Sequence, residues 1–139
     1  MFDKLSKLFE GNLSSFIKSS ISSETDERGK QIVKYLTIQE PLSTKHWKEH
    51  LNGKTRVGVK PEREGKCKWG CIDVDTYPLD HAKIAKNIKD KQIPLVVFRS
   101  KSGGAHLFLF VEDFIPAVAM RKKLQEFSSN LGYASCEIF

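Results

Sequence analysis

Gly70-Cys71-Ile72-Asp73-Val74-Asp75, followed a helix and a strand later by Lys101-Ser102-Gly103-Gly104-Ala105-His106, is the stretch on which the fold turns. A short apolar run that closes on Asp-x-Asp reads as a buried strand. Side chains alternate along a strand, so Asp73 and Asp75 share a face, about 6 to 7 Å apart. Two carboxylates so placed suit a divalent cation held jointly with a nucleotide's phosphates, because Mg²⁺ takes oxygen ligands and keeps part of its shell for water and phosphate.

Outward from that strand, the pattern predicts strands over 68–74, 95–99, 105–111 and 134–139, and helices over 79–91 and 117–131, with a glycine turn before His106. The order is β-α-β-β-α-β, an α+β class core of the ferredoxin-like or RNA-recognition-like (RRM-like) kind. Right-handed crossovers interleave the strands in the order fourth, first, third, second, with both helices on one face and the other face open. Alternation then sends Gly70, Ile72, Val74, Leu107, Leu109, Val111, Ala134, Cys136 and Ile138 toward the helices. Trp69, Cys71, Asp73, Asp75, His106, Phe108, Phe110, Glu137 and Phe139 go to the open face. Asp73, Asp75, His106 and Glu137 are thereby expected at one edge of that face.

Ahead of this core, residues 1–65 read as a separate helical and strand lobe, leaving 66–139 as the core. Phe2, Leu5, Phe9, Leu13, Phe16 and Ile17 recur at helical spacing, so the first twenty residues are expected to form one or two amphipathic helices. A serine-rich connector over 19–25 leads to a second predicted helix over 26–36. A third helix after Ser43 is expected to bury Trp47 and Leu51 and to end at Gly53 in a left-handed cap, before a strand over 56–59.

The chain has 139 residues, 40% of them hydrophobic, enough for one ordinary core. Its 23 Lys and Arg outnumber 17 acidic residues, giving a net charge of +6, which fits a polyanionic partner such as nucleic acid and equally a solvated lysine-rich surface. Cys67, Cys71 and Cys136 are an odd set without a paired framework, pointing to a reducing compartment and away from a zinc site. No apolar run reaches the ~20 residues of a membrane span, and Met1 to Leu13 carries acidic residues and lacks a secretory core, so a cytoplasmic protein without a membrane partner is expected.

Each candidate group carries two readings. The acids are either a site for Mg²⁺ or Mn²⁺ or solvent-facing residues at a strand end. Their apolar lead-in and their meeting with His106 and Glu137 favour the site. Lys101-Ser102-Gly103-Gly104-Ala105-His106 is either a triphosphate cradle of backbone amides, a lysine, a hydroxyl and an imidazole, with Arg99 and Ser100 adjoining it, or a plain glycine hairpin. Phe108 and Phe110 either stack bases or are covered by the first lobe through Trp47 and residues 56–59. Lys54, Arg56, Lys60, Arg63, Lys66 and Lys68 either track a template or form a solvated loop. His46, His50 and His81 read as surface or capping residues.

Taken together, these residues resemble the archaeo-eukaryotic primase superfamily, and most closely the primase domains of TOTE conflict systems and related mobile elements. His50-Leu51-Asn52-Gly53-Lys54 followed by Val57-Gly58-Val59 is similar to their entry segment. Arg99 to His106 is similar to their Arg-Ser to Ala-His segment, here one residue shorter, and Glu137-Ile138-Phe139 to the start of a later acidic strand. The resemblance runs from about Pro41 onward. It implies an archaeo-eukaryotic primase fold and template-directed joining of nucleoside triphosphates. Asp73, Asp75 and Glu137 would be catalytic metal ligands for Mg²⁺ or Mn²⁺. Ser102 and His106 would hold the incoming triphosphate; the cradle reading adds Arg99, Lys101 and Gly104 to the nucleotide contacts, and the basic run assigns Lys54, Arg56 and Lys60 to a single-stranded DNA template. It further implies a bacterial, archaeal, phage or mobile-element setting, a fused or associated helicase, and a core shortened where relatives continue past Phe139. A non-catalytic nucleic-acid-binding module is the rival class. A glycosyltransferase using a metal-bound nucleotide sugar is a third, though it leaves the Gly-Gly-Ala-His segment and the basic charge unexplained.

Overall fold

The computed structural model describes residues 2–25, 27, 31–100 and 102–139, and the chain divides into two units, Met1–Arg63 and Glu64–Phe139. The first unit contains α1 (Phe2–Leu8), β1 (Phe16–Thr25), β2 (Gln31–Ile38), α2 (Thr44–Leu51) and β3 (Arg56–Gly58). Its strands form an antiparallel sheet in the order β2-β1-β3.

Two expected helices are therefore corrected. Within the first twenty residues helix is confined to α1, and residues from Phe16 form β1. Residues 31–36 of the helix expected over 26–36 lie in β2, while residues 26 and 28–30 fall outside the described residues. The helical spacing of Leu13, Phe16 and Ile17 was fortuitous, running across a turn. Asn12 Oδ1 accepts from the Ser14 and Ser15 amides at 2.9 and 3.0 Å and redirects the chain. Beyond it, Ser-Ser-Ile-Ser-Ser-Glu-Thr and Ile32-Val33, Tyr35 and Thr37-Ile38 are rich in β-branched and hydroxyl residues that restrict or compete with helix.

The third helix stands as expected. Ser43 begins α2 with a capping box in which His46 Nδ1 accepts from the Ser43 amide at 3.1 Å. Gly53 follows with φ +72°. Trp47 is buried, near Phe9 and His50. Leu51 is exposed instead of buried with it.

The second unit contains β4 (Lys66–Val74), α3 (His81–Asp90), β5 (Val96–Arg99), β6 (Ala105–Pro116), α4 (Ala117–Asn130) and β7 (Glu137–Ile138). The sheet order is β5-β6-β4-β7, the expected interleaving, with every pairing antiparallel. Ile72, Val74, Leu107 and Leu109 meet Ile84 and Ile88 of α3 and Met120 and Leu124 of α4 in one core. Gly70 permits this packing, since a Cβ there would stand 2.6 Å from Leu124 Cδ1 and 2.9 Å from Met120 Cγ. Asp80 caps α3 by accepting from the Lys83 amide at 3.0 Å.

Two boundaries move furthest. β6 continues to Pro116, five residues past its expected end, and follows β4 around a bulge between Cys67 and Trp69. The last strand shrinks from 134–139 to two residues because 133–136 form a turn closed by the Cys136 amide on the Tyr133 carbonyl at 3.0 Å, which leaves Ala134 exposed. Phe139 still exchanges two 2.9 Å backbone bonds with Cys71. Among the described residues no helix is long and apolar enough to cross a membrane.

Candidate active site

The register of the second sheet lines up one row of side chains across all four strands. Asp73 on β4 stands opposite His106 on β6 and, on its other side, opposite Glu137 on β7. His106 in turn stands opposite Phe98 on β5. Directly opposed residues share a face, so the row reads phenyl, imidazole, carboxylate, carboxylate.

Asp73 is the electrostatic centre of that row. Its Oδ1 lies 3.4 Å from His106 Nε2, near enough for charge attraction but without hydrogen-bond geometry, and that oxygen is buried with no hydrogen-bond partner among the described residues. Burial holds the Asp73 carboxyl above its usual range. The imidazole of His106 opposes this, while the carboxylates of Asp75 and Glu137 add to it. One pair further along the same strand, burial and the Asp73 carboxylate push the Cys71 thiol up to about 12, so it is an inert apolar filler.

Asp75 lies just beyond β4 and is tied to the glycine turn by hydroxyls. Tyr77 Oη is 3.0 Å from Asp75 Oδ1 and 2.9 Å from Ser102 Oγ, and Ser102 Oγ is 3.0 Å from Ser100 Oγ. A phenol has one proton, so the chain that satisfies every group has Tyr77 donating to the carboxylate and accepting from Ser102. The turn closes on itself through the Ser100 amide to the Gly104 carbonyl at 2.9 Å and the Gly103 amide to the Ser100 carbonyl at 3.1 Å. Gly103 has φ +93°, where a side chain is strained. Gly104 is equally constrained, because a Cβ would stand 2.5 Å from the Val74 carbonyl and 3.0 Å from Asp75 Oδ1. His81 Nε2 lies 2.9 Å from the Gly104 carbonyl, bracing the turn from the start of α3.

The fold thus brings together Asp73, Asp75, Glu137, Ser102, Gly104 and His106. Arg99 is opposite Ala105, whose side chain is buried in the core, so alternation puts it on the face away from the row. Lys101 lies outside the described residues. Lys54, Arg56 and Lys60 belong to the first unit: Lys54 is exposed, Arg56 is in β3 opposite Ser19, and Lys60 Nζ donates to Ser15 Oγ at 3.3 Å. Tyr77 carried no motif in the sequence, and His81, expected to be an ordinary surface or capping residue, instead supports the turn. Only their nearness in sequence to Asp75 hinted at either.

Among the described residues no three His, Cys, Asp or Glu side chains are arranged to hold one ion by themselves. The chemistry of a divalent cation nevertheless fits. Asp73 offers a buried oxygen without a hydrogen bond among the described residues, Asp75 and Glu137 bring like charge beside it, and Mg²⁺ ordinarily takes one or two carboxylates and completes its shell with water and phosphate.

Residues 15–137 match the family described as the TOTE conflict system, Archaeo-Eukaryotic Primase domain. The chain belongs to that family, and so to a class of primase-like nucleotidyl-transfer domains. No curated protein matches it.

Proposed function

We propose that the chain is the catalytic domain of a DNA primase or primase-polymerase, a single primase domain with an RRM-like core, joining nucleoside triphosphates on a single-stranded DNA template. The observation that carries this reading is the Asp73 carboxylate, flanked in register by His106 and Glu137, with a buried oxygen that no hydrogen bond from the described residues satisfies. An orphaned buried acceptor among like charges is costly for folding and is kept where a ligand completes it.

Asp73 and Asp75, with Glu137 beside them, would hold Mg²⁺ or Mn²⁺. Such ions, when bound, favour ionisation of an attacking 3′-hydroxyl and neutralise charge on the phosphates. The protein's own part is positioning. Ser102 and the glycine turn give the triphosphate hydroxyl and backbone groups, Gly104 keeps the turn close against Asp75, and His106 presents Nε2 beside Asp73. Tyr77 and His81 keep turn and acids in mutual register. Phosphoryl transfer asks little covalent chemistry of a protein, so correct placement supplies most of the effect.

Replacing Asp73 by Ala is expected to lower template-dependent incorporation with Mn²⁺ by at least two orders of magnitude while leaving the circular dichroism spectrum unchanged. Normal primer extension by the variant would overturn the assignment. Salt-sensitive DNA binding indifferent to metal, without incorporation by the unaltered chain, would make the protein a binding module instead.

A further inference from the structure

The face of the second sheet that carries Asp73 and His106 is chemically divided. Its β4–β7 side carries Asp73 and Glu137 in register. Its β5–β6 side carries rings: Phe98 is 41% exposed and lies edge-on to Phe108 at 5.2 Å and 88°. Phe108 itself stacks on Phe110 at 5.7 Å and 22° and meets Trp69 and His106 edgewise at 5.9 Å. Phe98 is the exposed end of this aromatic group, held in place by Phe108 behind it.

We propose that Phe98 is the base-stacking residue of the nucleotide site, receiving the base of the nucleoside triphosphate whose phosphates lie at the glycine turn. This rests on the nucleotide reading of the site given above.

Three observations converge on that occupant. Phe98 stands opposite His106 on the same face, so its backbone is one strand spacing, about 4.8 Å, from that of the strand that carries the imidazole. The Phe98–His106 pair lies two residues along β6 from Gly104, about 7 Å by strand rise, so a ligand anchored by its phosphates at the turn reaches Phe98 with the part beyond its sugar. The division of the face also complements one molecule: a nucleoside triphosphate is polyanionic at one end and a flat π-surface at the other. An exposed phenyl on an edge strand invites unwanted association unless something covers it, and a base covers it with sequence-tolerant stacking.

The test compares dATP with inorganic triphosphate by isothermal titration in Mn²⁺, on the unaltered chain and on Phe98→Leu and Phe98→Tyr. Leucine keeps apolar bulk and strand pairing but lacks a ring face, whereas tyrosine keeps the face. If Phe98 stacks the base, the ratio of dATP to triphosphate affinity falls about tenfold or more in Phe98→Leu and is retained in Phe98→Tyr, in keeping with the usual worth of base–aromatic stacking. An unchanged ratio in Phe98→Leu overturns the proposal while leaving the nucleotide site standing. An unchanged ratio with weakened binding of a single-stranded oligonucleotide assigns the ring to the template and likewise overturns it. Failure of the unaltered chain to bind either dATP or triphosphate removes the nucleotide reading, and this inference with it.

Discussion

The two sheets of this protein are built on different principles. In the second unit β4, β6, α3 and α4 close over a continuous apolar core, with Ile72, Val74, Leu107 and Leu124 sealed from solvent. In the first, Phe16 and Trp47 are the large buried side chains among the described residues, while Ile32, Tyr35 and Leu36 on β2 are exposed. One unit is held mainly by hydrophobic burial, and the other leans more on its hydrogen-bonded ladder and local polar caps. The unit with the core also carries the acids, as a site that must hold carboxylates together against their repulsion requires.

The contrast can be broken first at its strongest point. Leu124→Ala removes a fully buried side chain between α4 and β4 and should cost about 2 to 5 kcal/mol in urea unfolding. Leu36→Ala on β2 should stay within about 0.5 kcal/mol. Comparable losses at the two positions would mean that the first sheet also rests on a core. Next in size is Asn12→Ala, which strips the acceptor from the Ser14 and Ser15 amides. A loss of about 1 to 2 kcal/mol, seen as faster proteolysis within residues 1–63, is expected if polar caps hold this unit.

The smallest effect has the opposite sign. Asp73 has a raised native pKa, so its protonated form is the one the fold favours. That contribution is complete below the ordinary value of 3.8 and is lost as pH rises through the raised one. Asp73→Asn should therefore melt at least as high as the unaltered chain at neutral pH without metal, and the advantage should vanish toward pH 3. A variant less stable at neutral pH would show that Asp73 supports the fold instead of straining it.

The same contrast explains what could be read from the residues alone. The second unit was legible because Ile72, Val74, Leu107 and Leu109 alternate with polar and aromatic partners, and a period of two fixes both strand and face. Asp73, His106 and Glu137 could be brought together from that pattern, because cross-strand register follows from topology. The first unit misled because its hydrophobic residues are sparse and fall across a turn, so Phe16 and Ile17 completed a helical period by accident. Asn12, which sets the turn, carries no periodic signal. Tyr77 and His81 were missed for a related reason: both act through loop geometry, which no alternation encodes.

Glu137 stands on the shortest ladder in its sheet, two paired residues on β7 supplemented by the reciprocal bonds between Phe139 and Cys71. Backbone bonds of this kind contribute only about 1 kcal/mol each net, so this strand sits at the low end of the range of local opening energies, well below β4 and β6. The row consequently has two tempos, with Asp73 in the middle of the sheet and Glu137 on an edge strand whose opening costs less. Occupancy of the row by all its members at once is then a matter of equilibrium, tunable by anything that lengthens or loosens that edge.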